Sequence, residues 1–131
     1  DRGTLFRESD IVSLHVPLND ETRGIAGRAA LALMKRGSWL VNTARGAVAD
    51  VDAVLEALDA GILDGAGLDV LPQEPPPAGH AILAHPRVVL SPHAAFYSEQ
   101  GEKELRRKAA QNLVDWARTG RPTYVVSEGR P

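Results

Sequence analysis

The sequence predicts an α/β fold built on a doubly wound parallel sheet. Three observations carry that expectation. Short apolar runs rich in β-branched residues alternate with helix-like segments. The segments between strands are long enough for crossover connections, which parallel strands need. The strands read as nearly continuous apolar runs, as expected of strands covered by helices on both faces.

The elements follow in order. "DIVSLHV" (10–16) reads as the first strand, and "AGRAALALMKR" (26–36) as a helix stopped by Gly37. "SWLVNTA" (38–44) is the second strand. Asp50 is placed to cap a helix in which Val51, Val54, Leu55 and Leu58 share one face, and Gly61 ends it. "GAGLDV" (65–70) is the third strand. The prolines of "LPQEPPPAG" forbid regular structure after it. His80 to Ala84 forms a short helical turn, and "RVVLSPH" is the fourth strand. Ser98 is placed to cap a long last helix with a stripe of Leu105, Ala109, Leu113 and Trp116, closed by Gly120. Trp116 is therefore read as core, and Trp39 as a packed strand residue.

Composition narrows the function. The chain has 131 residues, 44% hydrophobic and 24% charged, with a net charge of -2. This balance, with scattered Lys and Arg, gives no nucleic-acid surface; "RRK" at 106–108 is too short for a basic arm and reads with its neighbours as a solvated helix face. There is no cysteine, hence no disulfide or thiolate chemistry, which suits a reducing cytoplasm. No apolar run is long enough to span a membrane. The first residue is Asp1 and not Met, which points to a processed or truncated product.

Polar residues gather where the strands stop. The first strand ends in His15, the second runs into Asn42, Thr43 and Arg45, the third carries Asp69, and the fourth ends in His93. Open parallel sheets bind ligands outside the carboxyl ends of their strands, so this edge is the expected site. Glu74 follows the third strand in a proline-restricted loop. A carboxylate beside a histidine favours the imidazolium, a usable general acid near neutral pH. Arg45 offers a planar fork of donors suited to a carboxylate, and Gly46 allows close backbone approach. An acid, its carboxylate partner and an anion clamp fit the reduction of a 2-keto acid. Each residue also has a plainer reading: His93 bonded to backbone, Arg45 paired with an exposed acid, Asp69 capping a turn. His80 and His85 read as loop residues, and no metal-ligand cluster is expected.

"NTARG", "GLDV…EP" and "SPHAA", in this order and spacing, resemble the D-isomer-specific 2-hydroxyacid dehydrogenases, as does "SLHVPLNDETRGI". The resemblance covers nearly the whole chain. "PHAAFYSEQ" is closest to the branch of the C-terminal-binding proteins, corepressors with a dehydrogenase fold, although Phe96 stands where that branch usually has tryptophan. The resemblance implies roles. Arg45 would hold the substrate carboxylate and polarise the keto oxygen. His93 would donate the proton, with Glu74 as its partner. Asp69 would contact the nicotinamide carboxamide. His15, Thr43, Ala44, Arg45, His93 and Ala95 would line an NAD cofactor, with NADP left open. Phe96 and Tyr97 would wall the substrate pocket.

The chain has no Gly-x-Gly-x-x-Gly; "GAG" at 65–67 enters a strand instead of following one. In the family that loop lies upstream, with the first part of the substrate domain. Residues 1–131 therefore resemble the C-terminal half of a Rossmann-type dinucleotide-binding domain. Such a half would expose its first strand's edge, so a fragment or a homo-oligomer is expected, and the isolated chain is expected to be inactive. The competing class is a non-catalytic interaction or dimerisation module of the corepressor type. Neither reading calls for nucleic acid or membrane, and both fit the cytoplasm.

Overall fold

The computed structural model describes residues 1–125. It divides into two compact units, Asp1–Ala95 and a second beginning at Phe96.

The first unit holds four parallel strands, β1 (Ile11–Leu14), β2 (Ser38–Asn42), β3 (Leu63–Leu68) and β4 (Val88–Leu90), in the order β1-β2-β3-β4. Three helices accompany them: α1 (Arg2–Glu8), α2 (Arg28–Leu31) and α3 (Val51–Asp59). The expected parallel α/β sheet is present. Its strands add in chain order, and right-handed crossovers between strands added in one direction all land on one face. On that face Val12, Leu14, Leu40, Ala66 and Leu68 pack with Phe6, Leu31, Val54 and Leu58 in one core. The opposite face carries Ile11, Trp39 and Val89, all exposed. That side of the sheet is exposed among the described residues.

On that open face the Trp39 ring lies across Gly65, where a Cβ would sit 2.3 Å from the indole. Gly65, which enters a strand, is a flat seat for an aromatic ring. Trp39 packs as expected, yet stays 42% exposed.

Local signals explain most boundaries. The Asp50 carboxylate accepts from the N–H groups of Asp52 and Ala53 and starts α3. His80 caps a 3-10 turn over Ala81–Leu83 through Nδ1, which accepts from Ile82 N–H. The helix expected over 26–36 shrinks to α2. After Leu31 the chain tightens into i→i+3 bonds, Leu33 to Ala30 and Met34 to Leu31, which turn Met34 into the core. Helix α1 was not legible: Asp1 caps it through Thr4 N–H at 2.8 Å, but seven residues with only Leu5 and Phe6 apolar carry no period.

The second unit is dominated by α4 (Glu99–Thr119). Ser98 caps it, accepting from Gly101 N–H at 2.9 Å, and Gly120 closes it in the left-handed region. The ion pairs Arg106–Glu102 and Arg107–Glu104 mark the solvated face. Its stripe is not core, however. Leu105 and Leu113 are exposed and Trp116 is 61% exposed. Periodicity reports which residues share a face and not what covers it. No helix of the described residues is long and apolar enough to cross a membrane.

Candidate active site

The last rung of the sheet aligns Leu14, Asn42, Leu68 and Leu90. The next residues along the strands are His15, Thr43, Asp69 and Ser91. All four strands therefore deliver polar groups to the same carboxyl edge, as the sequence led us to expect.

Asn42 shapes the turn that follows β2. It is buried, donates from Nδ2 to the Arg45 carbonyl at 3.1 Å and accepts from Ala44 N–H at 3.0 Å. Its own carbonyl accepts from Asp69 N–H at 3.0 Å. One residue thus ties the Arg45 segment, through its side chain, to the end of β3, through its backbone. A 3-10 turn over Gly46–Val48 comes next. Gly46 presses against the Leu71–Pro72 peptide so closely that a Cβ there would sit 2.0 Å from the Leu71 carbonyl carbon. Only glycine permits this approach.

The other side of that contact holds the acid pair. Leu71 N–H donates to Glu74 Oε1 at 2.7 Å, and Glu74 Oε2 lies 2.7 Å from His93 Nδ1. Because an ionised carboxylate only accepts, Nδ1 carries the proton in this pair. The bond from His93 and then the Leu71 N–H hold the Glu74 carboxyl below its ordinary range.

His93 itself sits in the left-handed region, at φ 54. For a side chain of this size that costs about 1–2 kcal/mol, so the surroundings must impose it. Asp69 does so. Its carbonyl accepts from His93 N–H at 2.9 Å. Its carboxylate accepts from Ser91 Oγ at 2.5 Å, Ala94 N–H at 2.8 Å and Ala95 N–H at 2.9 Å. Burial alone would raise the Asp69 carboxyl, but the Ser91 hydroxyl, the two N–H groups and nearby His93 together hold it below the usual range.

This depressed value fixes a pH dependence. A carboxyl whose pKa is lower folded than unfolded stabilises fully above the unfolded value, about 3.9 for Asp. That contribution is lost as pH falls through the folded value. Urea midpoints of the wild type should therefore fall more steeply than those of Asp69→Asn between about pH 5 and pH 2. Parallel declines would show that Asp69 contributes no acid-sensitive stability.

Arg45, Glu74 and His93 line one cavity of about 220 Å³, together with Leu18, Val70 and Leu71. A neighbouring cavity of about 730 Å³ is lined by His15, Val16, Pro17, Thr43 and Ala44, and shares Leu18 and Arg45 with the first. His15 Nε2 is 2.7 Å from Ser13 Oγ. Asp69 and Ala95 line neither of these two cavities; they stand behind His93 as acceptor and donor. A third cavity, about 410 Å³, lies between the α3 N-terminus and the proline-rich loop. There Asp50 and His80 already spend acceptors on capping. Sequence reasoning missed Leu18 as a cavity wall and Ser91 as the partner of Asp69. A lone leucine after Pro17 gives no signal, whereas a serine two residues before a strand-end histidine could have prompted the question.

The comparisons decide the family. Residues 1–95 match the model of the D-isomer specific 2-hydroxyacid dehydrogenase NAD binding domain. The chain belongs to the D-isomer-specific 2-hydroxyacid dehydrogenase family. A glyoxylate reductase of Aeropyrum pernix is 44% identical over 94% of this chain, which covers 37% of that protein. The D-lactate dehydrogenase of Lactobacillus jensenii with NAD+ superposes with a TM-score of 0.88 at 31% identity, over 98% of this chain and 42% of that one. A D-isomer specific 2-hydroxyacid dehydrogenase of Xanthobacter autotrophicus Py2 in complex with NADPH does so with a TM-score of 0.81 at 32% identity, over 92% and 48%. The chain thus spans less than half the length of these relatives.

The matched segment is that family's NAD-binding domain, and it ends at Ala95, where the first unit ends. The residues present fit a nicotinamide. A carboxylate offers about four acceptor positions, and Asp69 uses three on Ser91, Ala94 and Ala95. One acceptor position remains by this count.

Proposed function

We propose that the protein carrying this domain is an NAD-dependent oxidoreductase that interconverts a 2-keto acid and a 2-hydroxy acid. The observation that supports it most is the single cavity shared by Arg45, Glu74 and His93. Arg45 binds the substrate carboxylate with its fork of donors and draws electron density from the keto oxygen. His93 Nε2 gives that oxygen a proton as it gains charge, and Glu74 on Nδ1 steadies the imidazolium and the ring. Asp69 orients the nicotinamide, and His15, Thr43, Ala44 and Ala95 complete the cofactor's surroundings. When bound, the cofactor supplies the hydride.

A trio meeting in one cavity favours turnover over the corepressor-like interaction reading, in which those side chains have no reason to converge. The isolated chain is proposed to be inactive, since it has no Gly-x-Gly-x-x-Gly turn to hold a pyrophosphate. The cysteine-free composition suits a cytoplasmic setting.

The experiment is NADH oxidation by the full protein with glyoxylate or another short 2-keto acid. Arg45→Lys keeps the charge but loses the bidentate fork. It should lower kcat/KM by about 10²–10³-fold, the scale of a lost oxyanion donor. Wild-type turnover by Arg45→Lys, or no turnover of any 2-keto acid by an unaltered protein that binds NADH, would overturn the assignment.

A further inference from the structure

We propose that Ser91 is a positioning residue for His93, acting through Asp69. The proposal rests on the dehydrogenase reading and deepens it, because it explains how the proton donor is aimed.

The chain of contacts is short and complete. Ser91 is the first residue after β4, held in place by its N–H, which donates to the Leu68 carbonyl at 3.1 Å. From there its Oγ reaches Asp69 Oδ1 at 2.5 Å. The Ser91 carbonyl also accepts from His93 N–H at 2.9 Å, so the chain folds back sharply around Pro92. Ser91 therefore grips both ends of the turn: its hydroxyl fixes the carboxylate and its carbonyl fixes the histidine backbone. Asp69 in turn binds Ala94 and Ala95 N–H, the two residues after His93. These bonds hold His93 at a backbone angle it would not choose, and that angle sends Nδ1 towards Glu74.

A carboxylate with three donors on it has a fixed plane. Remove the hydroxyl and Oδ1 keeps only one donor, so Asp69 can rotate about its side-chain torsion. The N–H groups of Ala94 and Ala95 then follow it or lose it, and the left-handed turn relaxes. A misplacement of about 1 Å at a reacting group can cost about 10²-fold in rate.

The test uses the full protein and Ser91→Ala, Ser91→Thr and Ser91→Ala/His93→Gln. Ser91→Ala should lower kcat by about 10-fold or more. Ser91→Thr, which keeps the hydroxyl, should restore kcat. In the His93→Gln background, removing the Ser91 hydroxyl should cause no further loss, because its target is already gone. An equal loss in both backgrounds, or no loss in either, would overturn the proposal. If Ser91→Ala does not fold, Ser91→Cys, of similar size and a poor donor, takes its place with the same expected losses.

Amide hydrogen exchange separates this idea from the reading beneath it. Protection of Ala94 and Ala95 N–H should drop in Ser91→Ala and return in Ser91→Thr, whether or not the protein turns over a keto acid. Unchanged protection in Ser91→Ala would refute the clamp itself. Lost protection in a protein with no keto-acid turnover would refute the dehydrogenase reading and, with it, the catalytic purpose assigned to Ser91.

Discussion

His93→Gln in the full protein should reduce kcat for keto-acid reduction by about 10²–10⁴-fold, the usual contribution of a positioned general acid. Glutamine is close in reach and can still donate to Glu74, so the loop geometry around Leu71 and Glu74 survives. What it lacks is a second ring nitrogen that can release a proton. As the keto carbon is reduced its oxygen gains a full charge, and without a donor that charge must wait for water. NADH affinity should hold, since the change lies at the reacting end of the site. Glu74→Gln makes an instructive companion. It keeps the shape of the partner and removes its charge, so it should lower kcat by less than His93→Gln does. A His93→Gln protein with wild-type kcat would remove His93 from the mechanism, whatever the fate of Arg45.

Gly46→Ala should destabilise the first unit by about 3 kcal/mol or more, at the upper end of overpacking penalties. The reason is what the new methyl would meet. It would sit 2.0 Å from the Leu71 carbonyl carbon and 2.2 Å from its oxygen. These are backbone atoms, and neither can rotate aside. Leu71 is also held from its amino side, because its N–H donates to Glu74 Oε1. Relief requires the Arg45 turn and the Glu74 loop to separate, which breaks the site as it relieves the clash. At about 4–8 °C per kcal/mol for a domain of this size, the fall in Tm is easy to read by calorimetry. Gly65→Ala is the control. Its methyl would meet the outer edge of the Trp39 ring at 2.3 Å, and an exposed side chain can swing away. The Gly46 variant should therefore be clearly the less stable of the two; equal stabilities would mean that the Leu71 peptide yields.

The two glycines show how far the chain could be read before its fold was known. "RG" in "NTARG" and "GAG" were both visible as glycines near the expected edge. Their use was not, because a glycine records a missing side chain and not the atom that takes its place. Gly46 makes room for a peptide 25 positions further on (71 against 46), and Gly65 for an indole on the next strand.

The sequence by itself determined the parallel α/β plan, the succession of strands along the chain, the caps at Asp50 and Ser98, and the edge to which His15, Thr43, Asp69 and His93 report. These follow from period, turn chemistry and strand direction, all of them local. It also supplied Arg45, Glu74 and His93 as candidates, since their chemistry is carried by residue type. The tertiary structure alone decided that these three share one cavity, that one sheet face is open, and that the Trp116 stripe is not core. It also decided that Asp69 spends its acceptors on Ser91, Ala94 and Ala95. Each of those outcomes depends on which distant segment arrives beside a residue. Hydrophobic patterning specifies that a face should be covered, but direction and distance are set only when the crossovers close and the chain packs against itself.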